Sequence, residues 1–322
     1  MATLDFEKPI LDLEHKIEDL RQMGSKRLTL EPEIKRLEAK LDKLKNDVYK
    51  HMTTWQRVQI ARHPKRPYSL DYIRMMTEDF LELHGDRFFA DDNAMVGGFA
   101  AIEGRKVMVI GHQKGRDVKE NVQRNFGCAH PEGYRKAMRL MRLAAKFKVP
   151  VVCLIDTPGA YPGVGAEERG QAQAIAENLR DMAGLRTPVV AVIIGEGGSG
   201  GALGIGVADQ VFILQHAYYS VISPEGCASI LWRSSLKAPQ AADALKLHGE
   251  DLLKHNIVND IIPEPLGGAH RDPQEAALNL KSALVKYLKK VSALTIEEVL
   301  DARYKKYRDI GNFIENPPAH DS

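Results

Sequence analysis

Two apolar runs of strand length, each passing into a glycine-rich segment and then a helical pattern, dominate the hydrophobic profile of the chain. The first is Val151-Val152-Cys153-Leu154-Ile155, followed by Asp156-Thr157-Pro158-Gly159-Ala160-Tyr161-Pro162-Gly163-Val164-Gly165. The second is Val189-Val190-Ala191-Val192-Ile193-Ile194, followed by Gly195-Glu196-Gly197-Gly198-Ser199-Gly200-Gly201. Short continuous apolar runs bounded by turn residues read as buried strands. Lys148-Val149-Pro150-Val151-Val152 and Arg186-Thr187-Pro188-Val189-Val190 stand 38 residues apart, a weak repeat that predicts stacked, similar units.

Residues 1–60 have a different pattern. Ile34, Leu37, Leu41, Leu44 and Val48 recur at spacings of three and four among Lys and Glu, which predicts a helix with a narrow apolar seam, opened by Pro32. Leu13, Ile17 and Leu20 predict an earlier helix, broken around Gly24. The seam must be covered, either by the same domain or by a partner or sister chain. Arg62-His63-Pro64-Lys65-Arg66-Pro67 reads as a linker, because its prolines forbid helix.

From about residue 70 the pattern becomes α/β. A helix is predicted from Asp71 to Leu83, before the turn His84-Gly85-Asp86. Strands are predicted at Ala94–Ile102 and Lys106–Gly111 around the tight turn Glu103-Gly104-Arg105, and a long helix at Pro131–Lys148. Further strands at Gln210–Leu214 and Tyr219–Ile222 precede Ser223-Pro224-Glu225-Gly226 and a helix. The C-terminal region is helical, with Thr295-Ile296-Glu297-Glu298 as a capping box.

Bulk composition narrows the function classes. With 322 residues the chain can form one large domain with an appendage, and 45 basic against 43 acidic residues give no case for nucleic acid or membrane. Cys128, Cys153 and Cys227 are scattered without a CxxC, so a reduced, cytoplasmic protein with no zinc site of its own is expected. The first residues lack the basic and apolar regions of a signal peptide, and no apolar run approaches the roughly 20 residues of a spanning helix.

The glycine segments satisfy several motifs. Gly195-x-Gly197-x-x-Gly200 matches a dinucleotide fingerprint, but the acid needed about 20 residues later is missing, since position 220 is serine. Gly197-x-Ser199-x-Gly201 matches a nucleophile elbow, for which Asp243 or Asp260 and His248, His255 or His270 would have to complete a hydrolase triad. Asp156-Thr157-Pro158-Gly159 resembles a GTPase element, yet the chain has no Gly-x-x-x-x-Gly-Lys-Ser/Thr segment. Glu167-Glu168 project about 100° apart on a helix and make a poor acid/base pair. Lys114, Arg116, Lys119, Arg124, Arg135, Lys136, Arg139 and Arg142 form a basic cluster, either a solvated helix face or a surface for an anionic ligand. What remains is main-chain chemistry. If Gly200 and Gly201 open a helix, their unpaired N–H groups suit an oxyanion, although close helix–strand packing also asks for glycine.

Several long runs carry a family resemblance. They are Val96-Gly97-Gly98, Ile110 through Arg116, Arg124-Asn125-Phe126-Gly127, Pro131 through Ala137, Asp156 through Gly170, Gly195 through Ala202, Ser223 through Trp232 and Ile262 through His270. Together they resemble the carboxyltransferase alpha subunit of bacterial multi-subunit acetyl-coenzyme A carboxylase, over essentially the whole chain. The resemblance implies an α/β, crotonase-like fold of stacked ββα units (residues 61–322) with an N-terminal helical arm (residues 1–60). It implies carboxyl transfer from carboxybiotin, held on a separate biotin carboxyl carrier protein, to acetyl-coenzyme A, giving malonyl-coenzyme A for fatty acid synthesis. It further implies an α2β2 assembly whose beta subunit bears zinc, and a separate biotin carboxylase that uses ATP. By the same resemblance Gly200 and Gly201 would hold the biotin ureido oxygen. Gly163, Val164, Gly165, Arg169, Gly197 and Gly198 would line the substrate cleft. A non-catalytic scaffold is the rival from another class.

Overall fold

The computed structural model describes residues 4–24 and 30–311. Helices α1 (Lys8–Gly24) and α2 (Glu31–Lys50) pack against each other. The α2 seam closes on α1: Leu37, Leu41 and Tyr49 share an apolar cluster with Ile10 and Ile17, flanked by Ile34, Leu44 and Val48. The expected cover for the seam therefore comes from the chain itself. Helix α3 (Thr54–Ala61) starts at a Thr53/Gln56 capping box and turns Val58 and Ala61 onto Tyr218, Ala242 and Leu247 of the body.

The body is built on one eight-stranded sheet. After α4 (Ser69–Met76) come β1 (Glu78–Glu82), β2 (Met95–Ile102) and β3 (Arg105–His112), paired antiparallel. Helices α5 (Val118–Gln123) and α6 (Pro131–Lys146) then lead to β4 (Val151–Thr157), which joins β3 in parallel. Next come α7 (Val164–Glu168), α8 (Gln171–Ala183), β5 (Val189–Gly198) and α9 (Ser199–Leu203). Strands β6 (Gln210–Leu214), β7 (Tyr218–Ser220) and β8 (Asp260–Ile262) complete the sheet; β6 and β8 extend it in parallel, and β7 pairs with the end of β5. Helices α10 (Pro224–Trp232), α11 (Ala238–Leu245) and α12 (Gly249–Lys254) lie between β7 and β8. Helices α13 (Pro273–Val291) and α14 (Ile296–Arg308) follow, the latter opened by the Thr295/Glu298 capping box.

The 38-residue repeat is the register of the sheet. Val151 pairs with Val189, Val152 with Val190 and Cys153 with Ala191 across β4 and β5. Every residue of both strands is buried, as expected for parallel strands covered on two faces. Helix α6 turns Tyr134, Ala137, Leu140, Met141 and Ala144 into the same core.

Three expectations need correction. The helix predicted from Asp71 to Leu83 stops at Met76; Thr77 is extended, and residues 78–82 pair with β2 as an edge strand instead. Pairing with a neighbour outside the local sequence overrides the helical spacing there. The segment 62–67 is no free linker, because Arg66 is fully buried and donates to Glu264 at 2.6 and 2.8 Å and to the Ile194 carbonyl at 2.7 Å. Finally, β5 does not end at Ile194. It continues through Gly195–Gly198, because β7 supplies backbone partners for Glu196, Gly197 and Gly198.

Candidate active site

Both glycine segments emerge from the carboxyl ends of neighbouring parallel strands, β4 and β5, the edge where open α/β sheets bind ligands. The two turns touch through their main chains. A Cβ on Gly201 would sit 2.4 Å from the Gly159 carbonyl carbon, and one on Gly198 would sit 2.2 Å from the Pro158 oxygen. Packing therefore accounts for glycine at both positions. Gly197 is likewise buried against Tyr219, 2.8 Å from where its Cβ would stand.

Gly200 is different. It is half-buried, and a Cβ there would meet only Ile175, at 3.8 Å. It stands in the first turn of α9, where N–H groups have no intrahelical acceptor. Ser199, the first residue of that helix, is exposed and held at φ +50°. No histidine among the described residues bonds its hydroxyl: His248 faces the Thr54 carbonyl and His270 faces Glu7. The triad required by the elbow reading is not assembled.

Under the turns lies a buried charge network that sequence reasoning missed. The Lys114 Nζ donates to Asp156 at 2.8 Å and to Glu196 at 2.6 Å, joining the bases of the first and second turns. The Glu196 N–H donates to the same Asp156 carboxylate at 2.9 Å. Arg62, just past α3, donates to Glu196 at 2.7 Å and to Glu225 at the start of α10 at 2.5 Å. The Tyr218 hydroxyl donates to Glu196 at 2.7 Å. Burial opposes the charge on Glu196, but Lys114 and Arg62 outweigh it and hold the carboxyl down at about 2. Burial likewise opposes the Lys114 ammonium, and Asp156 and Glu196 keep it above the ordinary lysine value. Neighbouring His112 is fully buried; burial and then the Lys114 charge push its imidazole down to about 3, so it is neutral. The available signal was the set of charged residues at the ends of apolar strands, positions that would otherwise be apolar.

The basic cluster is largely committed within the protein. Lys114 belongs to the network, Arg116 pairs with Asp71, Arg124 with Glu120, Lys136 with Asp91 and Arg142 with Asp181. Arg169 donates to Glu132 at 2.5 Å and stacks over Phe89, while Arg135 stacks over Phe88. Arg135, Arg169, Phe88 and Phe89 line an open cleft of about 840 Å³ beside α7 and α8. Gly163 caps α7, Gly165 is half-buried and Val164 is 72% exposed at the lip of the first turn. Glu7, His63 and His270 bring metal-ligand atoms within 4.8 Å of one another, but the Tyr49 hydroxyl already donates to the Glu7 carboxylate.

The fold and the paired turns define a class. The chain superposes on the transcarboxylase 12S core with a TM-score of 0.55, covering 70% of this chain and 42% of that one at 24% identity. It also superposes on a Pseudomonas malonate decarboxylase hetero-tetramer chain with a TM-score of 0.58, covering 73% and 91% at 16% identity. This is the crotonase-like architecture of carboxyltransferases. Residues 3–311 match the family described as acetyl co-enzyme A carboxylase carboxyltransferase-like, and the chain belongs to it. It is 54% identical over 312 residues to the acetyl-coenzyme A carboxylase carboxyl transferase subunit alpha of Geobacter metallireducens, covering 97% of this chain and 98% of that protein. It is 56% identical over 313 residues to the same subunit of Thermus thermophilus, covering 97% and 99%.

Proposed function

We propose that this chain is the alpha component of a carboxyltransferase that moves a carboxyl group from carboxybiotin on a carrier protein to acetyl-coenzyme A. Malonyl-coenzyme A is the product, and the reaction commits carbon to fatty acid synthesis in the cytoplasm. Family membership over nearly the whole chain supports the activity. The open face at Gly200 is the observation that carries the site assignment.

In this reading carboxybiotin supplies the carboxyl group, and the protein holds the negative charge that develops on the ureido and thioester oxygens. The Gly200 N–H, with Gly201 behind it, faces the ureido oxygen through a main-chain donor at a helix start, the kind of donor whose loss typically slows reactions about 10² to 10³-fold. Gly201, Gly198 and Gly197 let the turns close on one another, so they contribute by position. Gly163, Val164, Gly165 and Arg169 form the neighbouring wall. A beta subunit, bearing zinc, supplies the thioester side of an α2β2 assembly; the carrier protein and a biotin carboxylase using ATP complete the system. Exposed Val164, Leu203 and Phe126 near the turns support completion by a partner surface. No described helix is long and apolar enough to cross a membrane.

The arm of residues 1–60 and the body of residues 61–322 are read as separate units, supported by the separate apolar cluster of α1 and α2. Packing of α3 on the body favours a working boundary just before that helix.

The test is carboxyl transfer between malonyl-coenzyme A and biocytin, with the chain alone and with a purified beta subunit. Activity confined to the mixture is the expected result. Silence in the mixture despite a stable complex would favour a scaffold or a different acyl substrate.

A further inference from the structure

A second pocket, of about 560 Å³, opens between α13, α14 and the sheet edge formed by β6 and β8. It lies at the opposite end of the strands from the glycine turns. Its lining residue Gln210 pairs with Val190, eight residues before Gly198, which at strand rise is roughly 25 Å away. Its volume falls within the range of about 300 to 1,000 Å³ usual for small-molecule sites.

The floor is apolar: Phe212, Val291 and Val299 are buried core residues that face this space. The rim is cationic, with Lys286, Lys290 and Lys306. Among the described residues, none of these three lysines forms an ion pair with a carboxylate. The Lys306 Nζ has a neutral partner, the Ala208 carbonyl at 3.1 Å. Nearby Asp209 is already engaged by Arg303 at 2.6 and 3.1 Å and by the Val189 N–H at 2.6 Å. Burial pushes the Lys306 amine down to about 8, although the Asp209 charge acts the other way. An ammonium that has lost water, and whose one nearby counter-charge is already shared with Arg303, is left short of stabilisation, which an entering anion would supply.

We propose that this pocket binds an amphiphilic organic monocarboxylate, its head on Lys306 and its apolar body on Phe212, Val291 and Val299. The three lining lysines face two lining aspartates, one of them already paired with Arg303, so the rim keeps a surplus of positive charge that a carboxylate head offsets in part. A small inorganic anion would use the rim and leave the floor uncovered, so an apolar tail is part of the recognition. The site is independent of the transferase reading.

Calorimetric titration of the full chain with octanoate tests this, with 1-octanol as the uncharged control. The expected result is saturable one-to-one binding of octanoate, with 1-octanol at least about tenfold weaker, a difference of about 1.4 kcal/mol. Lys306→Met should weaken octanoate by a similar factor. Ala302→Trp, at an exposed position lining the pocket, should abolish binding while thermal unfolding shows an intact fold. Absence of saturable octanoate binding, equal affinity for 1-octanol, or full binding by Ala302→Trp would overturn the proposal.

Discussion

The Lys114 ammonium lies 2.6 Å from the Glu196 carboxylate, so one side chain from the end of β3 clamps the base of the second glycine turn while also holding Asp156 under the first. Removing that cation leaves two buried carboxylates facing one another. Lys114→Met should destabilise the protein by about 3 to 5 kcal/mol, the usual result of breaking a buried pair from one side. Denaturant unfolding measures this, and transfer activity with the partner should fall further than the folded fraction alone explains.

Gly200 and Gly201 should part company on substitution. Gly201→Ala forces a methyl into the Gly159–Ala160 backbone and should lower stability as well as activity. At Gly200 an added Cβ meets only Ile175, so Gly200→Val should leave the unfolding midpoint almost unchanged, while bulk on the ligand side lowers kcat about 100-fold. A bulky residue at Gly201 alone cannot separate mechanism from packing, which makes Gly200 the informative position. Wild-type turnover in folded Gly200→Val would remove this glycine from the mechanism.

Ser199→Ala should retain transfer activity within about twofold, because no base is assembled beside the hydroxyl; this small change is below about 0.5 kcal/mol. A loss of two orders of magnitude, measured by the same malonyl-coenzyme A assay, would reinstate a nucleophilic serine.

Acid should destabilise the protein in two stages. In the unfolded chain His112 takes its proton near 6.5, but in the folded protein only near 3, so its contribution is complete above 6.5 and is lost as pH falls toward 3. Glu196 and Glu264 fall from 4.5 to about 2 on folding; their contribution is complete above about 4.5 and is lost toward 2. The melting temperature should therefore begin to decline below pH 6.5 and fall more steeply below 4.5. His112→Leu should make the first stage shallower and leave the second, the remainder of the first coming from His216 and His248, whose imidazoles burial also holds below the ordinary value.

Local patterning determined a good deal by itself. The alternation of apolar runs and glycine segments gave the α/β class, and the 38-residue offset anticipated the β4–β5 register, because backbone pairing and side-chain burial both follow chain spacing. The Thr295 capping box was legible for the same reason, since a cap is satisfied within three residues. The long glycine-rich runs carried the family. Tertiary structure decided the rest. Only the contact between the turns distinguishes Gly201, crowded by Gly159, from Gly200, which stays open. Only the three-dimensional fold brings Arg62, Lys114, Asp156 and Glu196 together across 134 residues of chain. Edge strand β1 likewise exists because β2 lies beside it, where spacing alone suggested helix. Hydrophobic period is written into consecutive residues, whereas buried charge pairing and backbone contact depend on partners that the chain supplies from far away.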